Sequence, residues 1–148
     1  MSKPRVLIEE WLPAQAIGIE CLRENSTGAL PPPNWLHVWW ARRPLVFSRA
    51  AVLGSLLPAD FDRATFERLL GFYDSSQNIV RGQEALERVR QNPSMKRIKN
   101  PHGPRAFSNA IPEPAMEAAT AAMAGLWGEQ PTVLDPMAGG GSIPLEAA

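Results

Sequence analysis

The residues with the clearest chemical potential stand near the end of the 148-residue chain, where Thr132-Val133-Leu134 runs into Asp135-Pro136-Met137-Ala138-Gly139-Gly140-Gly141-Ser142. A strand that ends in an acid and meets several glycines lets the backbone turn sharply and come close to a ligand. A helix starting behind the glycines would offer unpaired N–H groups to an anionic or polar group. The spacing is not G-x-G-x-x-G, and no Lys-Ser/Thr pair follows, so a Walker phosphate loop is excluded. The same residues also suit a plain strand-to-helix turn. Spacing alone does not choose between the two.

Two further groups could contact nucleic acid. In Leu36-His37-Val38-Trp39-Trp40-Ala41-Arg42-Arg43-Pro44-Leu45, the rings of Trp39 and Trp40 could stack on unpaired bases while Arg42 and Arg43 neutralise phosphate. Equally, the indoles could be core and the arginines could pair with local acids or with the rings themselves. Residues 74–105 carry seven basic groups against three acids, and Lys96, Arg97 and Lys99 within 81–105 are candidates for phosphate contact. The plainer reading is a solvated surface loop. One cysteine and two histidines exclude a disulfide framework and a Cys/His zinc site built from this chain alone. No metal ligands are assigned.

The elements that must position these groups are read from periodicity and punctuation. A helix is expected over 14–24, with Ile17, Cys21 and Leu22 facing inward and Glu20, Arg23 and Glu24 outward. Pro31-Pro32-Pro33-Asn34 is a spacer. Pro44 opens a helix to about Leu57, carrying Leu45, Val46, Val52, Leu53, Leu56 and Leu57 on its apolar face, and Pro58 ends it. Asp62 caps the next helix, with Phe61 and Phe66 as a staple and Leu69, Leu70 and Tyr73 on the core side. A short helix near 83–91 and a loop to Pro104 follow. Residues 114–127 form an amphipathic helix with Met116, Ala119, Met123 and Leu126/Trp127 at helical spacing, and 132–134 form a strand.

Net charge is zero by cancellation. Residues 1–105 carry 15 basic and 10 acidic groups, for +5, whereas 106–148 carry five acids and no Lys or Arg, for −5. Fifteen prolines, about twice the usual share, oppose long unbroken elements. No apolar run approaches the ~18 residues of a membrane helix and no signal-peptide core follows Met1, so a soluble, cytoplasmic protein without membrane partners is expected. Ser142 to Ala148 reads as a helix just beginning, which suggests a chain cut inside an element.

Residues 133–142 resemble motif I of the amino-group DNA methyltransferases, D-P-F-x-G-x-G-[ST], with Met137 in place of the usual Phe. The helix at 114–127, entered through Phe107-Ser108-Asn109-Ala110-Ile111-Pro112-Glu113-Pro114, stands where that group keeps motif X. Leu7-Ile8-Glu9, Leu12-Pro13 and His37-x-Trp39-Trp40-Ala41-Arg42-Arg43-Pro44-Leu45 are similar to the DUF1156 domain, which opens large proteins described as adenine-specific DNA methylases, often in phage-defence clusters. In those proteins the glycine loop reads D-P-F-A-G-G-G-S-I-P-L-E-A, close to residues 135–147 here.

The resemblance implies an α/β fold: a mostly helical N-terminal region leading into the first strand and glycine loop of a Rossmann-like class I S-adenosylmethionine methyltransferase domain, truncated. It implies a DUF1156-like helical domain over 1–58, a helical and basic connection over 59–106, and the start of the methyltransferase domain over 107–148. It assigns S-adenosylmethionine to Asp135, Pro136, Met137, Ala138, Gly139, Gly140, Gly141 and Ser142. DNA would be the partner of the full-length protein, with other defence proteins alongside, and adenine the methyl acceptor. The loop [DNS]-P-P-[YFW] that holds the target amine and stacks on the flipped base is not in these residues, so no catalytic residue is assigned and the chain alone should be inactive. The other class of function is a small helical adaptor that binds protein or nucleic acid through the Trp/Arg motif.

Overall fold

The computed structural model of the chain describes residues 3–25, 43–92 and 94–148. Seven α-helices are defined among them: α1 (Leu7–Glu10), α2 (Ala14–Asn25), α3 (Leu45–Leu56), α4 (Arg63–Leu69), α5 (Ser76–Gln91), α6 (Glu113–Trp127) and α7 (Ser142–Ala147). A 3-10 turn at Ala106–Ser108 lies between α5 and α6.

Local chemistry sets most boundaries. Pro44 caps α3, and Leu57 ends it in extended conformation ahead of Pro58. Asp62 accepts the Thr65 N–H at 2.8 Å and the Thr65 hydroxyl at 2.7 Å, which caps α4. The Thr65 side-chain bond is the main reason the Asp62 carboxyl is held below the usual carboxylate range. Gly71, at φ 77°, closes α4: its N–H meets the Arg68 carbonyl at 3.0 Å, and Phe72 N–H meets Glu67 at 3.1 Å.

Helix α5 begins at Ser76, seven residues before the expected 83. Ser75 and Asp74 cap it, Ser75 Oγ accepting from Asn78 N–H at 3.4 Å and Asp74 Oδ1 from Asn78 Nδ2 at 3.0 Å. Ile79 then anchors the first turns in the core.

Helix α3 is central. It packs on α1, α2, α7 and the 3-10 turn, while α2 also packs on α5 and α4 on α6. Val46 and Leu57 are buried there with Leu7, Phe66, Leu70 and Ile79. Trp11 meets Phe66 edge-on, with centroids 6.1 Å apart. The Trp127 indole N–H donates to the Leu56 carbonyl at 2.8 Å, tying the end of α6 to the end of α3.

The α/β reading does not hold. Residues 131–135 have no regular structure, and the one β feature among the described residues is an antiparallel bridge between Val6 and Pro58. The expected strand at 132–134, first of a Rossmann-like methyltransferase sheet, is therefore not formed; the described body is helical. A strand needs a neighbour to satisfy its N–H and C=O groups, and none is present here. Leu134 accordingly stands 87% exposed.

On α2 Ile17 is buried and Cys21 packs against the core as expected, but two acids and one leucine change places. Glu20 and Glu24 are 1% and 0% exposed, whereas Leu22 is 73% exposed. Both oxygens of Glu24 accept the Leu45 N–H, at 3.0 and 2.9 Å, so this carboxylate from α2 satisfies the N-terminus of α3. Glu20 accepts the Ala106 N–H at 3.0 Å and pairs with Arg23. In α6 the buried stripe is Ala115 and Ala119; Met116, expected to face inward, is exposed.

Candidate functional site

The glycine segment is a series of turns fixed at one end. Asp135 Oδ1 accepts the Met137 N–H at 3.0 Å, an Asx turn that starts the reversal at Pro136-Met137. Gly139 and Gly141 take φ of 55° and 74°, in the left-handed region that costs a side chain about 1–2 kcal/mol. Gly141 N–H donates to the Ala138 carbonyl at 2.8 Å, and the Gly141 carbonyl accepts Leu145 N–H at 3.0 Å, which starts α7. Met137 is 88% exposed at the tip, and Ser142 is buried at the base.

What holds this segment is a pair that sequence reasoning missed. Arg49, in the middle of α3, donates from Nε to Glu146 Oε2 at 2.5 Å and from Nη2 to Oε1 at 3.3 Å. Arg49 Nη1 also reaches the Leu70 carbonyl at 3.3 Å. Both side chains are at least nine-tenths buried, so the fork replaces lost hydration with a bidentate partner. The acid in a sequence otherwise apolar beyond Ser142, facing an arginine inside an apolar helix, was the available signal.

A second arrangement surrounds the basic loop. A cleft of about 710 Å³ opens between α2, α5 and residues 100–105, lined in part by Leu22, Arg23, Leu86, Arg90, His102 and Arg105. Its loop wall is clamped at several points. Gln83 donates from Nε2 to Glu87 Oε1 at 2.8 Å, which leaves its carbonyl oxygen to accept from His102 Nε2 at 3.1 Å. His102 Nδ1 then accepts the Tyr73 hydroxyl at 2.8 Å. Burial, followed by the Arg23 charge, lowers the His102 pKa, and burial raises that of Tyr73, so both are held neutral. Arg23 Nη2 donates to the Gly103 carbonyl at 2.5 Å, and Arg105 Nε to the Arg23 carbonyl at 3.0 Å.

Among the other assigned residues, Trp39, Trp40 and Arg42 lie outside the described residues. Arg43 is exposed and lines an apolar groove with Pro44 and Phe47. Lys96, Arg97 and Lys99 are exposed on the irregular segment after α5. Asp135 to Ser142 are contiguous and attach through α7 to α3, whereas the basic loop attaches to α2, α5 and Tyr73. Burial first, then the Glu24 charge, pushes the Cys21 thiol up to about 11, which disfavours the thiolate. No group of three or more metal-ligating side chains occurs among the described residues, and no helix among them is long and apolar enough to cross a membrane.

The described residues thus define a helical body that carries a docked glycine turn and a cationic cleft. Residues 11–78 match the DUF1156 family, described as a protein of unknown function. The match reaches from Trp11 through α4 into the first turn of α5, and the glycine segment lies outside it. No curated protein and no solved structure matches the chain.

Proposed function

We propose that the chain is part of an S-adenosylmethionine-dependent DNA methyltransferase acting on an exocyclic amine, adenine by the resemblance, and that it carries the front portion of the cofactor site without the groups that hold the target base. The observation that carries this reading is the segment Asp135 to Ser142: its sequence follows motif I, and its two left-handed glycines make a tight turn open to solvent. A Cβ on Gly141 would meet no heavy atom within 4 Å, so the glycine serves backbone conformation and leaves room beside the turn. S-adenosylmethionine, when bound, supplies the methyl group and its electrophilic sulfonium. This chain's share would be the Asp135 carboxylate and the backbone of Gly139 to Ser142, held in register by α7.

DNA is the proposed partner, with Trp39, Trp40, Arg42, Arg43, Lys96, Arg97 and Lys99 as its first candidates for contact, and a phage-defence setting is part of the same proposal. The amine-holding loop is not in this sequence, so methyl transfer requires further chain. Titration calorimetry with S-adenosylmethionine tests the reading. Binding by the chain that is abolished in Asp135→Ala and in Gly139→Val is expected; binding unchanged in both variants overturns the cofactor assignment. Turnover on DNA by the 148 residues alone, followed with a radiolabelled methyl group, would overturn the division of labour.

A further inference from the structure

Between Arg88 and Pro112 the chain carries six cations (Arg88, Arg90, Lys96, Arg97, Lys99 and Arg105) and no acid. In an overall neutral protein this is a local field carried by one stretch of chain, and its two ends, Arg90 and Arg105, face the same cleft. Arg90 leaves the last turn of α5 into the cleft, Lys96, Arg97 and Lys99 lie on the exposed segment that follows, and Arg105 returns at the far wall. Glu20 is buried against Arg23 and Glu84 lies 3.7 Å from Arg88, which leaves Arg90, Lys96, Arg97 and Lys99 as the cations of the track, while Glu87 accepts from the neutral Gln83 amide and keeps its charge.

The wall that presents these charges is built, not merely solvated. A Cβ on Gly103 would come within 2.7 Å of the Tyr73 ring, and one on Gly82 within 3.2 Å of Pro101. With the Tyr73–His102–Gln83 relay and the bonds between Arg23, Gly103 and Arg105, residues 100–106 have one seat on the body. The basic segment is thereby held at both ends, by α5 before it and by this clamp after it. Leu22 adds an exposed apolar side chain at the cleft, and Met95 and Ile98 alternate with the cations.

We propose that this cleft and the basic segment form a track for the phosphodiester backbone of DNA, with Arg90, Lys96, Arg97 and Lys99 neutralising phosphates. A regular row of phosphates matches several spaced, point-like cations better than a single anion would, and such contacts give affinity without sequence choice. The inference deepens the DNA partner proposed above and rests on it, while adding Arg90 and the cleft, neither of which depends on the glycine segment.

The test is fluorescence anisotropy of a labelled mixed-sequence duplex with the intact chain and no cofactor, between about 50 and 200 mM salt. Each neutralised phosphate contributes about 0.9 to the slope of log affinity against log salt. The triple variant K96Q/R97Q/K99Q is expected to lower the slope by about 2.7, and Arg90→Gln by about 0.9. Arg63→Gln, on α4 over the Trp11 ring at 5.0 Å, removes the same charge outside the cleft and should leave the slope unchanged. Circular dichroism confirms that each variant folds. A slope equally reduced by Arg63→Gln, or unchanged in the Arg90 and basic-segment variants, overturns the track while DNA stays a partner. Absence of DNA binding overturns the track and the DNA partner; S-adenosylmethionine binding measured alongside then tells whether the cofactor reading survives. A single-stranded arm and a phosphatidylserine-vesicle arm complete the set, and charge-dependent capture by vesicles without DNA binding also overturns it.

Discussion

Arg49 and Glu146, separated by 97 positions in the chain, form a buried bidentate ion pair that fastens the helix behind the glycine segment to the central helix of the body. The pair lies where α3 and α7 meet, and its third contact, from Arg49 to the Leu70 carbonyl, brings the end of α4 into the same junction. The glycine turn therefore has a fixed seat, although α7 is only six residues long and could not persist as an isolated helix.

Arg49→Ala leaves the Glu146 carboxylate buried without its partner and should destabilise this junction by about 3–5 kcal/mol. Hydrogen exchange at the α7 amides should accelerate in proportion. An Arg49→Met, Glu146→Leu double variant, which removes both charges and keeps apolar volume, should recover much of the loss. Equal protection of α7 in Arg49→Ala and in the unaltered protein would show that the pair does not hold the helix.

Glu24→Gln tests a second buried carboxylate contact. The charge-assisted bonds to the Leu45 N–H weaken, and α3 loses the negative group at its N-terminus, for an expected cost of about 1–3 kcal/mol. Urea unfolding monitored by helical signal measures it, and an unchanged midpoint would sink the assignment.

His102 links stability to pH. Its folded pKa lies below the ordinary 6.5, because burial and then Arg23 oppose the imidazolium. The unfolded state then takes up a proton first, so the contribution is complete above about 6.5 and is lost as pH falls through that value toward the folded pKa. Protonation would also place a hydrogen on Nδ1, which now accepts from Tyr73. Thermal midpoints recorded through this range should fall toward acid more steeply in the unaltered protein than in His102→Gln; parallel curves would exclude the effect.

Gly71→Ala should be strongly destabilising. The residue combines a φ of 77° with a Cβ position that collides with the Ala106 carbonyl, so both strain and overlap add. The left-handed conformation alone costs about 1–2 kcal/mol. Gly125→Ala is the matched control: it lies within α6 with nothing within 4 Å of the added Cβ, and it should not destabilise. A Gly71→Ala melting temperature equal to that of Gly125→Ala would contradict the packing described here.

Much of the helical order was legible in the residues themselves. Pro44 and Pro58 bracket α3, Asp62 opens α4, and the glycines at 139 and 141 mark turns, because caps, prolines and left-handed positions act within a few residues. Two boundaries departed: α4, expected to carry Tyr73, ends at Leu69 ahead of Gly71, and α5 starts early. Its cap at Asp74-Ser75 follows ordinary N-terminal chemistry, but the single buried Ile79 in a polar stretch gave little periodic signal.

Tertiary structure decided the rest, because it depends on partners distant in the chain. Hydrophobicity placed Glu20 and Glu24 on the outside of α2; the unsatisfied amides of Ala106 and Leu45 drew them in. β-Branched residues at 132–133 favoured a strand, but a strand forms only against a neighbour, and the described residues supply none. The sequence by itself determined most of the long helices, the turns marked by proline and glycine, and where the cations cluster. Only the folded body decided which charges are buried, how the glycine segment is held, and that Arg90 and Arg105, at the two ends of the basic run, line one cleft.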